Sequence, residues 1–162
     1  MQSFLTKVAI FAENIPQKWH VRGKIWIMSR FNVSVSSRFE ELWRYNLVLV
    51  CELCSADGER IEFYSKESCV APVGSNLVVP PNDYDSKREL SCECGEGDHL
   101  NILLYVIPNT LPVSNDIYNT KPFPLSMKVK CDGDIILNQV FSINQWSGEN
   151  ITLNRVGQAS KI

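Results

Sequence analysis

The run from Phe123 to Ile143 constrains the chain more than any other feature. Phe123, Leu125, Met127, Val129 and Cys131 alternate with Pro124, Ser126, Lys128 and Lys130, the period-two pattern of a strand with one buried face. Asp132-Gly133-Asp134 interrupts the pattern, and Ile135, Leu137, Gln139, Phe141 and Ile143 resume it. This is a hairpin whose register is set by its apolar face. A two-residue turn sets Met127 against Asn138 and Cys131 against Asp134. A three-residue loop sets Cys131 against Ile135, Val129 against Leu137 and Leu125 against Phe141, and is the expected arrangement because it pairs apolar with apolar.

The stretch Leu47 to Phe63, LVLVCELCSADGERIEF, yields to the same test. With Ala56-Asp57-Gly58 as a three-residue loop, Gly58 takes the left-handed position such loops need. Leu53 then faces Ile61, and Cys51 faces Phe63. The Cys51-x-x-Cys54 spacing suggests a zinc pair, but in an extended strand these side chains point to opposite faces. A chelating pair needs a tight turn between its thiolates, so this one is expected to be structural.

Further strands are expected over Phe4 to Ala12, Val21 to Met28, Phe31 to Val35, Leu100 to Ile107 and Asn150 to Asn154. Val70 to Val79 is a weaker candidate, broken by Pro72 and Gly74. Ser37 and Glu40 have capping-box spacing, with Phe39, Leu42 and Trp43 as an apolar face, which allows at most two turns of helix. Eight to ten short strands with turn signals between them define an all-β chain, an antiparallel β-sandwich of immunoglobulin-like or C2-like type. The 162 residues suit one domain over 1–154, with 155–162 as a flexible tail. Leu47 to Leu53 and Leu100 to Ile107 are apolar on both faces, as central strands covered on both sides would be. Pro80 to Asp98, rich in acidic residues, reads as a mobile solvated loop.

Composition excludes some functions. A formal net charge of −2 with scattered Lys and Arg gives no basic patch for nucleic acid. No apolar run reaches the roughly 20 residues of a membrane span. The first residues, interrupted by Lys7 and Glu13, do not form a secretory signal, so a cytoplasmic protein with mostly reduced cysteines is expected.

Motifs for chemistry are sparse. Cys92, Cys94 and His99 form a possible metal set, with Cys69 or an acidic residue as fourth ligand, but the spacing matches no common zinc pattern. His20 and His99 are the two histidines available as general bases, and no nucleophile elbow, P-loop or complete dinucleotide fingerprint accompanies them. Asp83, Asp85, Asp98, Asp116, Asp132 and Asp134 fall in expected loops, where they would either bind calcium or satisfy turns. No metal and no cofactor is therefore assigned.

The segment PNTLPVSNDIYNTKP, from Pro108, is punctuated by prolines yet carries Leu111, Val113, Ile117 and Tyr118. These either seal the core or form the apolar centre of a partner site. Trp146, in NQWSGEN, is a further contact candidate. The expected function is that of a non-enzymatic interaction or structural module binding a protein, with Leu111, Ile117, Tyr118 and Trp146 as partner-binding residues. The alternatives are a carbohydrate- or calcium/lipid-binding sandwich and, below these, a small metal-dependent enzyme.

Overall fold

The structure is a computed structural model that describes residues 18–21, 24–86, 89–114 and 116–158, with side chains from residue 28 onward. The expected strand over Phe4 to Ala12 and the side chains of Trp19, His20 and Trp26 lie outside the described residues. Among the described residues ten strands run in chain order: β1 (Lys18–Val21), β2 (Lys24–Ile27), β3 (Ser29–Ser36), β4 (Tyr45–Cys54), β5 (Arg60–Ser68), β6 (Glu89–Gly97), β7 (His99–Pro108), β8 (Phe123–Cys131), β9 (Asp134–Ile143) and β10 (Glu149–Gly157). β1 and β2 pair as a separate ribbon, and the other eight form two four-stranded antiparallel sheets ordered β6-β3-β8-β9 and β10-β7-β4-β5.

The sheets pack face to face as a β-sandwich. One inner face carries Phe31, Val33 and Val35 of β3 with Leu125, Met127 and Val129 of β8. The other carries Leu47, Leu49 and Cys51 of β4 with Leu100, Ile102 and Leu104 of β7, and all are buried. The alternation of these residues with polar ones produces the layering, since successive side chains in a strand point to opposite faces. Outside the strands the described residues hold one 3-10 turn, Leu42–Arg44. Ser37 accepts the Phe39 N–H and donates to the Pro124 carbonyl, while Phe39 stacks on Phe123 with ring centroids 4.4 Å apart. Ser37 and Phe39 thus anchor a crossover between sheets instead of opening an α-helix.

The β8–β9 hairpin has the expected register over most of its length, with Val129 against Leu137 and Leu125 against Phe141. Its tip is different. Asp132 and Gly133 both hold positive φ, at 50° and 92°, as a two-residue type I′ turn requires. Cys131 therefore faces Asp134, and a bulge after Lys130↔Ile135 restores the apolar pairing. At β4–β5 the expected register is overturned by one residue: Cys51 faces Tyr64, Glu52 faces Phe63 and Leu53 faces Glu62. A bulge between Leu53 and Cys54 makes the shift, so Ile61 and Phe63 point to solvent and Glu62, Tyr64 and Lys66 share the inward side of β5.

Other expectations are corrected. Glu89–Gly97 of the supposed mobile loop is strand β6, paired with β3 along its whole length. Val70 to Val79 forms turns and no strand. Arg155 to Gly157, read as tail, belong to β10, where Val156 faces Leu100. Val21 to Met28 is split between the two strands of the ribbon.

Candidate functional site

The strand directions put the long connections at one end of the sandwich. β3, β5, β7 and β9 finish there, and β4, β6, β8 and β10 start there. At the opposite end the β4–β5, β6–β7 and β8–β9 connections are tight turns.

Three of these connections are tied together by a buried polar network. Asn46 Oδ1 accepts the N–H groups of Val70 and Ala71 at 2.8 and 3.4 Å, and its Nδ2 donates to the Ala71 carbonyl at 2.7 Å. Asn109 Nδ2 donates to the Trp43 carbonyl at 3.0 Å and to Asn46 Oδ1 at 3.1 Å. Arg44, 4% exposed, donates from its guanidinium to the Leu111 carbonyl and sits 4.3 Å over the Trp43 ring. Ser75 N–H reaches the Asn109 carbonyl, and Thr110 Oγ1 reaches the Leu77 carbonyl. Asn109 Oδ1 and Arg44 Nε are buried without a hydrogen-bond partner, Arg44 Nε lying 3.5 Å from the Glu41 carboxylate; the bonds that are made tie down the loop backbones that carry them.

The connections held by this network carry exposed apolar side chains. Leu111 and Val113 are both 69% exposed, Ile117 63% and Tyr118 98%, and Val73, Val78 and Val79 on the β5–β6 connection are exposed as well. A shallow open depression is lined by Ser114, Asp116, Ile117 and Tyr118. The tip is a local turn: Asp116 accepts the N–H groups of Tyr118 and Asn119 and the Asn119 side-chain amide, while Thr120 Oγ1 donates to the Asp116 carbonyl. The amide of Asn119, followed by the backbone N–H groups, holds the Asp116 carboxyl below its ordinary value.

The four residues expected to bind a partner therefore separate. Leu111, Ile117 and Tyr118 are exposed on one segment. Trp146 is half-buried in the Asn144–Gly148 turn with its indole N–H enclosed and without an acceptor. The exposed valines Val73, Val78 and Val79 were missed because an apolar run in sequence reads first as a strand.

The cysteines form a second constellation. Cys92 and Cys94 occupy alternate positions of β6, not a solvated loop, and face the core opposite Val33 and Phe31. Cys51 reaches them from the facing sheet, and the three Sγ atoms lie within 4.8 Å of one another, all buried. Cys92 and Cys94 are 3.9 Å apart. Hydrogen bonding with the Cys51 thiol, and less so with Cys92, holds the Cys94 thiol below its ordinary value despite its burial. Desolvation pushes Cys92 up to about 11, and hydrogen bonding with Cys94 together with burial raises Cys51.

Cys54 is not part of this group. Asn101, on the outer face of β7 opposite Glu52, contacts the Cys54 sulfur at 3.6 Å. His99, expected with Cys92 and Cys94, is instead held by Asp98 at 2.8 Å. The aspartates do not gather either: Asp98, Asp132 and Asp134 lie at the end with tight turns, and Asp83, Asp85 and Asp116 at the other. Among the described residues no helix is long and apolar enough to cross a membrane.

No protein-family model matches the chain, and no curated protein matches it. Among solved structures, a DUF4425 family protein from Bacteroides ovatus is similar at 12% identity and a TM-score of 0.35, over 78% of this chain and 91% of that one.

Proposed function

We propose that the protein is a non-enzymatic interaction module, a sandwich of the immunoglobulin-like or C2-like group, that binds a protein partner through its loop end. The observation that carries this reading is the exposure of Leu111, Ile117 and Tyr118 on a connection whose start is held by a buried polar network. Apolar side chains left in water on a rigid base lose little conformational entropy on docking, which is where interface energy concentrates. An aromatic ring fully in solvent beside aliphatic neighbours has no role in the chain's own core.

The test is the double change Ile117→Ser, Tyr118→Ser. Stability should stay within about 0.5 kcal/mol per site, as for exposed positions. A photo-crosslinking residue at position 118 should label one protein in host extract, and the added change Leu111→Ser should abolish the adduct. A fall of several kcal/mol in stability would show these side chains to be core instead. An adduct pattern indifferent to Leu111 would remove the loop end as the binding surface.

A further inference from the structure

We infer that Cys51, Cys92 and Cys94 form a binding site for a soft monovalent metal ion, copper(I), held by three sulfur ligands between the two sheets. The first ground is geometry. A metal–thiolate bond of about 2.3 Å in a flat three-coordinate arrangement sets sulfurs about 4 Å apart. Cys92 and Cys94 are 3.9 Å apart and all three sulfurs lie within 4.8 Å, so closing around an ion needs a shift of less than about 1 Å, within side-chain adjustment.

The second ground is ligand chemistry. Thiolates select soft ions. Zinc in structural sites closes its shell with four ligands, and among the described His, Cys, Asp and Glu side chains no fourth joins these three. Phe31 and Val33 pair with Cys94 and Cys92, and Ile102 with Cys51; copper(I) bound by these sulfurs displaces thiol protons to solvent and needs no more than three soft donors. The ligands are also placed by two separate sheets: the β6 pair by strand alternation, Cys51 by the middle of β4.

The third ground is access with a supporting shell. β5 and β6 are edge strands, one in each sheet, so the thiols lie just inside a seam between edges. A bulge at Gly95 takes its N–H out of the ladder with β3, and that N–H donates to Tyr64 Oη across the seam at 2.8 Å. Tyr64 in turn donates to Glu62. A side chain at position 95 would meet Tyr64 Oη at 2.8 Å, so glycine is what lets the tyrosine close over the thiols. The one-residue register shift of β5 serves this arrangement, because it turns Tyr64 and Glu62 inward in place of Phe63. Tyr64 is a positioning residue at the mouth of the site, and swinging it aside opens a path from solvent to Cys94.

The test is titration of the fully reduced full-length protein, under nitrogen, with copper(I) buffered by a coloured copper(I) chelator. One ion per chain should leave the chelator, with a new ultraviolet sulfur-to-copper absorption, and X-ray absorption should report three sulfurs at about 2.3 Å, the usual metal–thiolate range. Cys94→Ala should weaken binding by roughly a hundredfold or more, past the 10–100-fold of a supporting-shell change, and Cys54→Ala and Cys69→Ala should not. Tyr64→Phe should speed loading without changing the stoichiometry. If Cys94→Ala fails to fold, sulfur count and protection of Cys51, Cys92 and Cys94 from alkylation in the wild-type protein decide the matter. No copper taken from the chelator, binding retained in folded Cys94→Ala, or zinc held more tightly than copper(I) with a fourth ligand would each overturn the proposal, the first leaving the thiols as core packing only.

Discussion

Gly148 and Gly58 both hold positive φ, at 68° and 85°, but a Cβ at Gly148 would meet the Val106 carbonyl oxygen at 1.9 Å while one at Gly58 would meet nothing within 4 Å. The backbone strain is shared and the clash is not. Gly58→Ala should therefore cost about 1–2 kcal/mol from conformation alone, and Gly148→Ala at least about 1 kcal/mol more, because the β9–β10 turn must move off β7. Urea melts of the two variants measure this difference, and equal costs would show that the turn yields freely. Asp116 gives a second measurement. Its folded carboxyl lies below the ordinary 3.8 because the Asn119 amide, then the backbone N–H groups, favour the charged form. A depressed acid contributes its order above the unfolded value and loses it as pH falls through the folded one. The 116–120 turn should accordingly persist through pH 3.8 and open only below it. A carboxyl titration by NMR should find the midpoint under 3.8, moving upward in Asn119→Ala; a midpoint at or above 3.8 would remove the amide contact.

Strand β5 shows how an element can satisfy its backbone while defying its own apolar pattern. Ile61 and Phe63 stand 48% and 53% exposed, and the inward places go to Glu62, Tyr64 and Lys66. As an edge strand it has one neighbour to pair with, so a bulge at its start shifts the whole register at little cost. Phe63→Ser should then destabilise by less than about 1 kcal/mol, the span of strand propensity, where a core phenylalanine would cost about 3–5 kcal/mol. Thermal melts distinguish these outcomes, and a core-sized loss would restore the sequence-based register. The β8 pattern was legible because polar and apolar residues alternate there over nine positions, and pairing energy follows burial. At its tip the expected pairing of Cys131 with Ile135 fails, because a two-residue type I′ turn sets Cys131 against Asp134 and a bulge then restores the pairing of Val129 with Leu137, a device that apolar matching cannot foresee. β6 was misread because its inward residues are Leu90, Cys92 and Cys94. Buried cysteine packs as a small hydrophobe, and counting it so turns LSCEC into an alternating strand. The thiol group itself was not legible, since only the pairing of sheets brings Cys51 to β6. Ile117 and Tyr118 stood out as an apolar pair among turn formers, but whether they seal the core or face solvent is decided only by the fold, which leaves them exposed.

The whole molecule is asymmetric from end to end, and the asymmetry assigns different tasks to the two ends. Tight turns close one end. At the other, Asn46, Asn109 and Arg44 fasten connections that would otherwise be long free loops, and the exposed apolar residues ride on those connections. Asn46 is the hub, since it serves the β5–β6 connection through Val70 and Ala71 and the β7–β8 connection through Asn109. Asn46→Ala leaves the Val70 N–H and the Ala71 carbonyl to find new partners, and each buried polar group so orphaned costs about 1–3 kcal/mol. Part of that cost should be avoided by releasing the loops into water, so the global loss should be about 2–4 kcal/mol. The release is the more telling effect. Amide exchange should accelerate over residues 70–77 and 109–120 while the β8–β9 hairpin keeps its protection, because the hairpin shares no bond with the network. If the loop end is the docking surface, crosslinking from position 118 should also weaken at temperatures where Asn46→Ala remains folded, since the partner must then order the loops it meets. Uniform acceleration across every strand would mean that Asn46 supports the core in general, and unchanged exchange in both loops would mean that the network does not hold them.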